Sequence, residues 1–149
     1  LDHTMSGASW FDFRINITSV GEIGIEAAYA AHFGVPVVAV TGDEAVAAEA
    51  RALLGDVPTA AVKAGVGRGR ARCLSLPAAH ERVRQAIEAG VRDAARLVPW
   101  TPALPATLEL TVYRSDMADG WEGRPGVERI DARTGRARID SLRDIRNVF

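Results

Sequence analysis

Residues 35–40 read Val-Pro-Val-Val-Ala-Val, an unbroken apolar run rich in β-branched side chains. Such a run has no polar alternation, so it predicts a strand covered on both faces, as in parallel sheet with helices on either side. Helical patterns flank it. Upstream, Ser19-Val-Gly-Glu22 has the S-x-x-E spacing of a capping box. A helix is expected from there to His32, with Ile25, Ala28, Tyr29 and Ala31 on its apolar surface and Gly34 at the C′ position. Downstream, Thr41-Gly42-Asp43 reads as a strand-to-helix loop, with Asp43 an N-cap and Gly55 the stop of a helix over residues 44–54. Strand and helix in alternation argue for an α/β fold with a parallel or mixed sheet and flanking helices.

The remaining segments extend that frame. Phe13, Ile15 and Ile17 alternate with polar neighbours over residues 12–17, a half-buried strand. Residues 59–63 form a short strand, and the glycine- and arginine-rich residues 65–72 read as a loop. Pro77 suits the first turn of a long helix whose stripe is Val83, Ile87, Val91, Ala94 and Val98. Pro99, Pro102 and Pro105 then mark the best internal boundary. They divide an α/β portion, residues 1–98, from a smaller α+β portion of the same unit, residues 99–149. In the latter, Leu108, Leu110 and Val112 alternate inward on a strand. Residues 127–130 and 137–139 flank a hairpin turn at Thr134-Gly135, and Ser141 caps a last helix ending at Phe149.

Composition excludes several function classes. The formal net charge is −1, so no global field draws the chain to nucleic acid or an anionic membrane. The longest apolar run is far too short to span a bilayer. Cys73 is the single cysteine, which rules out an internal disulfide and fits a reducing, cytoplasmic setting. No C-x-x-C, H-E-x-x-H or histidine pair at helical spacing occurs, so the chain holds no self-sufficient zinc motif.

A few residues could carry chemistry. Glu22 has an ordinary place in a capping box, yet a carboxylate at a helix start is also available to a metal or a substrate amine. The two roles are compatible. His3 reads either as a surface histidine or as a general acid/base. His32 lies in a last helical turn and His80 in a first turn, where exposed histidines are ordinary. The stretch from Lys63 to Arg72 is no phosphate loop, because its lysine precedes the glycines and no Ser/Thr follows for magnesium. A flexible basic loop and an anion site using Lys63 or Arg68 both remain open. Asp43 stands beyond a strand, on the usual ligand side of open α/β sheets, although capping explains it equally well.

Taken in order, these residues resemble peptidase family M55, the zinc-dependent D-aminopeptidases of the DppA type. The resemblance rests on His3-Thr4, Val20-Gly-Glu-Ile-Gly-Ile25, Ala27, Gly34-Val-Pro-Val37, Val40 and Gly42-Asp43. It continues through Thr59-Ala-Ala-Val-Lys63, Arg68 and Cys73-Leu-Ser75, and weakens beyond Ser75. It implies hydrolysis of N-terminal D-amino acids from short peptides, two zinc ions, and ring-shaped homo-oligomers. Glu22 falls on a zinc-ligand glutamate and His3 on the catalytic histidine. The family's remaining ligands, an Asp-x-Glu and two histidines, lie upstream of the position matching His3, and this sequence begins at Leu1. The resemblance therefore implies the C-terminal portion of such an enzyme, an incomplete domain, inactive as this chain alone. Asp43, Lys63 and Arg68 are the weaker substrate-binding candidates. The competing expectations are a non-catalytic assembly module of the same fold and a small-anion-binding α/β domain.

Overall fold

The computed structural model describes residues 5–149. In chain order the elements are β1 (Trp10–Ile15), β2 (Thr18–Ser19), α1 (Glu22–His32), β3 (Val40–Asp43) and α2 (Glu44–Leu54). Then come β4 (Thr59–Gly67), β5 (Arg70–Cys73), α3 (Leu76–Arg92), β6 (Ala106–Val112), β7 (Val127–Arg129) and β8 (Thr134–Ile139). They fall into two units, one of residues 5–33 with Thr101–Phe149, the other Gly34–Trp100. The result is mixed α/β, as the sequence argues, with one antiparallel and one mixed sheet. Among the described residues no helix is long and apolar enough to cross a membrane.

The first unit is built on a five-stranded antiparallel sheet in the order β2-β1-β6-β8-β7. Phe13 pairs with Leu110 and Ile15 with Leu108, and each of the four is at most 2% exposed. Alternation predicts these inward faces because the period of a strand is two. Ile17 departs from it and is 92% exposed. The chain turns at Asn16, whose φ of 56° ends β1 and folds β2 back along it. The Asn16 side chain accepts from the Thr107 amide at 3.0 Å and donates to the Ala103 carbonyl at 3.2 Å.

Three local expectations fail here. The capping box does not form. Ser19 is paired opposite Arg14 in β2 and gives its hydroxyl to the Asp12 carboxylate, so Gly21 becomes the N-cap and Glu22 the first helical residue. Thr134 and Gly135 lie inside β8, not in the turn. The turn precedes them, where the Asp131 carboxylate accepts from the amides of Arg133 at 2.7 Å and Thr134 at 2.8 Å. After Ser141 the chain forms only a 3-10 turn, Leu142–Arg146. Beyond that turn Phe149 packs edge-on against Phe13 and the buried Trp121.

The second unit holds a three-stranded sheet, β3-β4-β5, with β3 parallel and β5 antiparallel to β4. The 35–40 run is not the expected strand. Among the described residues pairing begins at Val40, opposite Thr59, and continues through Thr41, Gly42 and Asp43, which the sequence suggests as a loop. Pro36 brings no amide to a ladder, and the neighbouring chain reaches β3 at Pro58, whose carbonyl accepts from the Val40 amide at 3.0 Å. Residues 65–72 are likewise no loop. They form the end of β4 and most of β5, a hairpin whose tip is Arg68-Gly69. The expected α3 stripe is only partly the packed one. Ala86 and Gly90 are buried, whereas Ile87, Val91 and Val98 are 45%, 62% and 83% exposed. The cause is steric: a Cβ on Gly90 would stand 1.8 Å from the Val38 carbonyl oxygen, so the helix closes on its smallest face.

Candidate functional site

Glu22 is the sequence-predicted metal ligand that lies within the described residues. It opens α1, where the helix dipole favours a carboxylate. The turn beneath it is fixed: Ile25, Ala27 and Ala28 are buried, and a Cβ on Gly24 would approach the Val20 Cβ to 2.5 Å. Its carboxylate itself stays exposed, and among the described residues Oε2 accepts one bond, 3.3 Å from the Met5 amide. A rigid backbone thus presents an oxygen pair to solvent, a suitable first donor for a metal. His3, the predicted catalytic residue, lies outside the described residues.

In the same unit, sequence reasoning missed Asp12. Its carboxylate takes the Ser19 hydroxyl and the Arg14 Nε, the latter at 2.7 Å. Burial pushes this carboxyl up, but those hydrogen bonds and the Arg14 charge together hold it below the usual carboxylate range. The i, i+2 spacing of Asp12 and Arg14 on a strand was the available signal. The S-x-x-E spacing marks Ser19 as a helix cap and so conceals its bond to Asp12.

The weaker candidates lie in the other unit. Asp43 caps α2, its Oδ1 accepting from the Val46 amide at 2.9 Å. Lys63 is its cross-strand partner, half-buried, at an irregularity in the β3–β4 register. Arg68 sits at the exposed hairpin tip and does not line the cavity beside Lys63. That cavity, about 260 Å³, brings Lys63 together with two cations the sequence did not single out, Arg72 and Arg82. Arg72 was hidden in an assumed loop and Arg82 on the polar side of a helix.

Among the described residues no three His, Cys, Asp or Glu side chains gather where they could hold a metal ion. His32 lies 3.4 Å from the Ser141 hydroxyl and stacks edge-on against Phe33, and His80 is exposed on α3. A catalytic zinc takes about three protein ligands. Residues 5–149 gather no such set around Glu22 and do not complete such a site.

The sequence matches the peptidase M55 family model, D-aminopeptidase, over residues 1–149. It is 33% identical over 116 residues to the D-aminopeptidase of Bacillus subtilis (strain 168), a match covering 78% of this chain and 42% of that protein. Among solved structures it is similar to the Zn-dependent D-aminopeptidase DppA from Bacillus subtilis, a self-compartmentalizing protease. The TM-score is 0.89 at 28% identity, covering 96% of this chain and 52% of that one. The chain therefore spans about half the length of the relatives it matches. With the family model matched from first residue to last and the fold shared, the chain belongs to the M55 peptidases, the D-aminopeptidase family.

Proposed function

We propose that this chain is part of a zinc-dependent aminopeptidase that removes N-terminal D-amino acids from short peptides. Glu22 supplies one metal-ligating carboxylate, and His3 acts as the catalytic acid/base. The observation that carries the reading is the family match over residues 1–149, joined to the exposed Glu22 carboxylate on a locked helix start. A di-zinc site would bind and activate water, polarise the scissile carbonyl and hold the free amine. Its other ligands would come from outside residues 5–149. The 149-residue polypeptide is accordingly expected to bind zinc weakly and to be inactive alone. Self-association of the intact protein, as a ring, is proposed from the self-compartmentalizing relative.

The test is turnover of D-alanyl-D-alanine and L-alanyl-L-alanine by the protein encoded by the whole reading frame, supplied with zinc. Release of D-alanine is expected to exceed release from the L,L-peptide. Glu22→Gln should lower kcat/KM by at least the ~10–100-fold typical of losing a group that merely supports a ligand. No turnover of either peptide would favour a non-catalytic assembly module. Full activity in Glu22→Gln would remove Glu22 from the site.

A further inference from the structure

We infer that the cavity walled by β4, β5 and α3 is a binding site for a small oxyanion, a carboxylate or phosphate group. Lys63, Arg72 and Arg82 line it, and among the described residues Glu44 is the only acidic side chain that does. The lining thus carries three positive charges against one negative. Among the described residues neither the Lys63 nor the Arg72 side chain has a hydrogen-bonded or ion-paired partner, and no salt bridge links Glu44 to any of the three. Arg82 is held in place through one guanidinium nitrogen, which donates to the Ala61 carbonyl at 2.9 Å. Its other N–H donors remain for a ligand.

Cations gathered in one concave site repel each other, and an anion among them relieves that repulsion. Guanidinium and ammonium donors suit oxygen acceptors in particular, because charge-assisted N–H···O bonds are short and strong. The position agrees with this chemistry. Lys63 lies opposite Asp43, at the carboxyl end of the parallel β3–β4 pair, the side on which open α/β sheets take ligands. Asp43 already caps the nearby start of α2, so the attraction comes from the side-chain cations and not from the helix end. The Lys63 and Cys73 positions are direct cross-strand partners, which places the lysine at the mouth of the hairpin instead of at its tip.

The inference does not depend on the peptidase reading, because its readout needs neither zinc nor turnover. Amide chemical shifts of the 149-residue chain would be followed by NMR while sodium acetate, inorganic phosphate and D-alanyl-D-alanine are added at constant ionic strength. Saturable shifts are expected at Lys63, Ala64, Cys73 and Leu74, with a Kd on the order of 1 mM. Tighter phosphate binding would identify a dianion site, and tighter acetate or dipeptide binding a carboxylate site. Lys63→Met and Arg72→Met should each weaken binding about tenfold, the loss of one charge-assisted contact. Glu44→Gln should tighten it, and Arg68→Met at the hairpin tip should leave it unchanged. Absence of saturation by any of the three anions at ~10 mM, or equal titrations for the Lys63 and Arg72 variants and the unaltered chain, would overturn the proposal.

Discussion

The two units bury different kinds of residue. In the β1–β6–β8 sheet large side chains are fully buried, Phe13, Ile15, Leu108 and Leu110, with the small Ala106 and Ala137 between them. In Gly34–Trp100 the buried set is mostly small: Ala47, Ala50, Ala60, Ala86 and Gly90, with Val40 and Val57. Several of its larger side chains, Leu76, Ile87, Val91 and Val98, face outward. Large interlocking side chains fill space that the surroundings cannot easily reclaim. Small ones let a helix backbone settle directly on a neighbouring carbonyl, so that unit should be sensitive to added atoms more than to removed ones.

That contrast can be broken by substitution and urea unfolding. Leu108→Ala in the antiparallel sheet should have the largest effect, a loss of about 2–5 kcal/mol. Gly90→Ala should destabilise by about 1–3 kcal/mol although alanine is the better helix former, because the new Cβ meets the Val38 carbonyl. A stabilising Gly90→Ala would show that α3 does not pack as described. Asp43→Ala removes the cap of α2 and should cost about 1 kcal/mol. Val91→Ala, on the outward face of the same helix as Gly90, should stay within about 0.5 kcal/mol. A loss comparable with that of Leu108→Ala would mean that this face is covered in solution.

Acid sharpens the comparison within the first unit. The Asp12 carboxyl is held below its ordinary range in the folded protein. Between the folded and unfolded values the unfolded chain binds more protons, so stability rises with pH there. The contribution is complete above the ordinary carboxylate range and is lost as pH falls through the folded value. Asp12→Asn should therefore be less stable near pH ~6, with a smaller further loss on going to pH ~3. Equal pH profiles for the two proteins would contradict the Asp12–Ser19–Arg14 arrangement.

How much was legible follows the same division. The faces of β1 and β6 could be read because strand alternation is local and their partners lie in the same sheet. The bounds of α2 could be read because Asp43 and Gly55 punctuate it. The α3 face could not, because Gly90 carries no hydrophobic signal and its importance arises only against Val38. The hairpin at residues 65–72 was disguised by glycine and arginine, which ordinarily mark loops. The Ser19-x-x-Glu22 spacing misled because the strand claimed Ser19 first, a tertiary pairing that outweighs a local cap. For the site, Glu22 was identified by resemblance and takes its physical meaning from an exposed position at the start of a locked helix. The cluster of Lys63, Arg72 and Arg82 needed the fold, since its members come from two strands and a helix.

Glu22 is the one exposed donor on that locked helix start, and the rest of the proposed metal site is expected from residues outside 5–149. Zinc retained per chain after equilibrium dialysis of the 149-residue polypeptide tests this most directly. Well below one zinc per chain is expected, with no further fall in Glu22→Gln. One or two zinc ions held tightly by the 149 residues would contradict it.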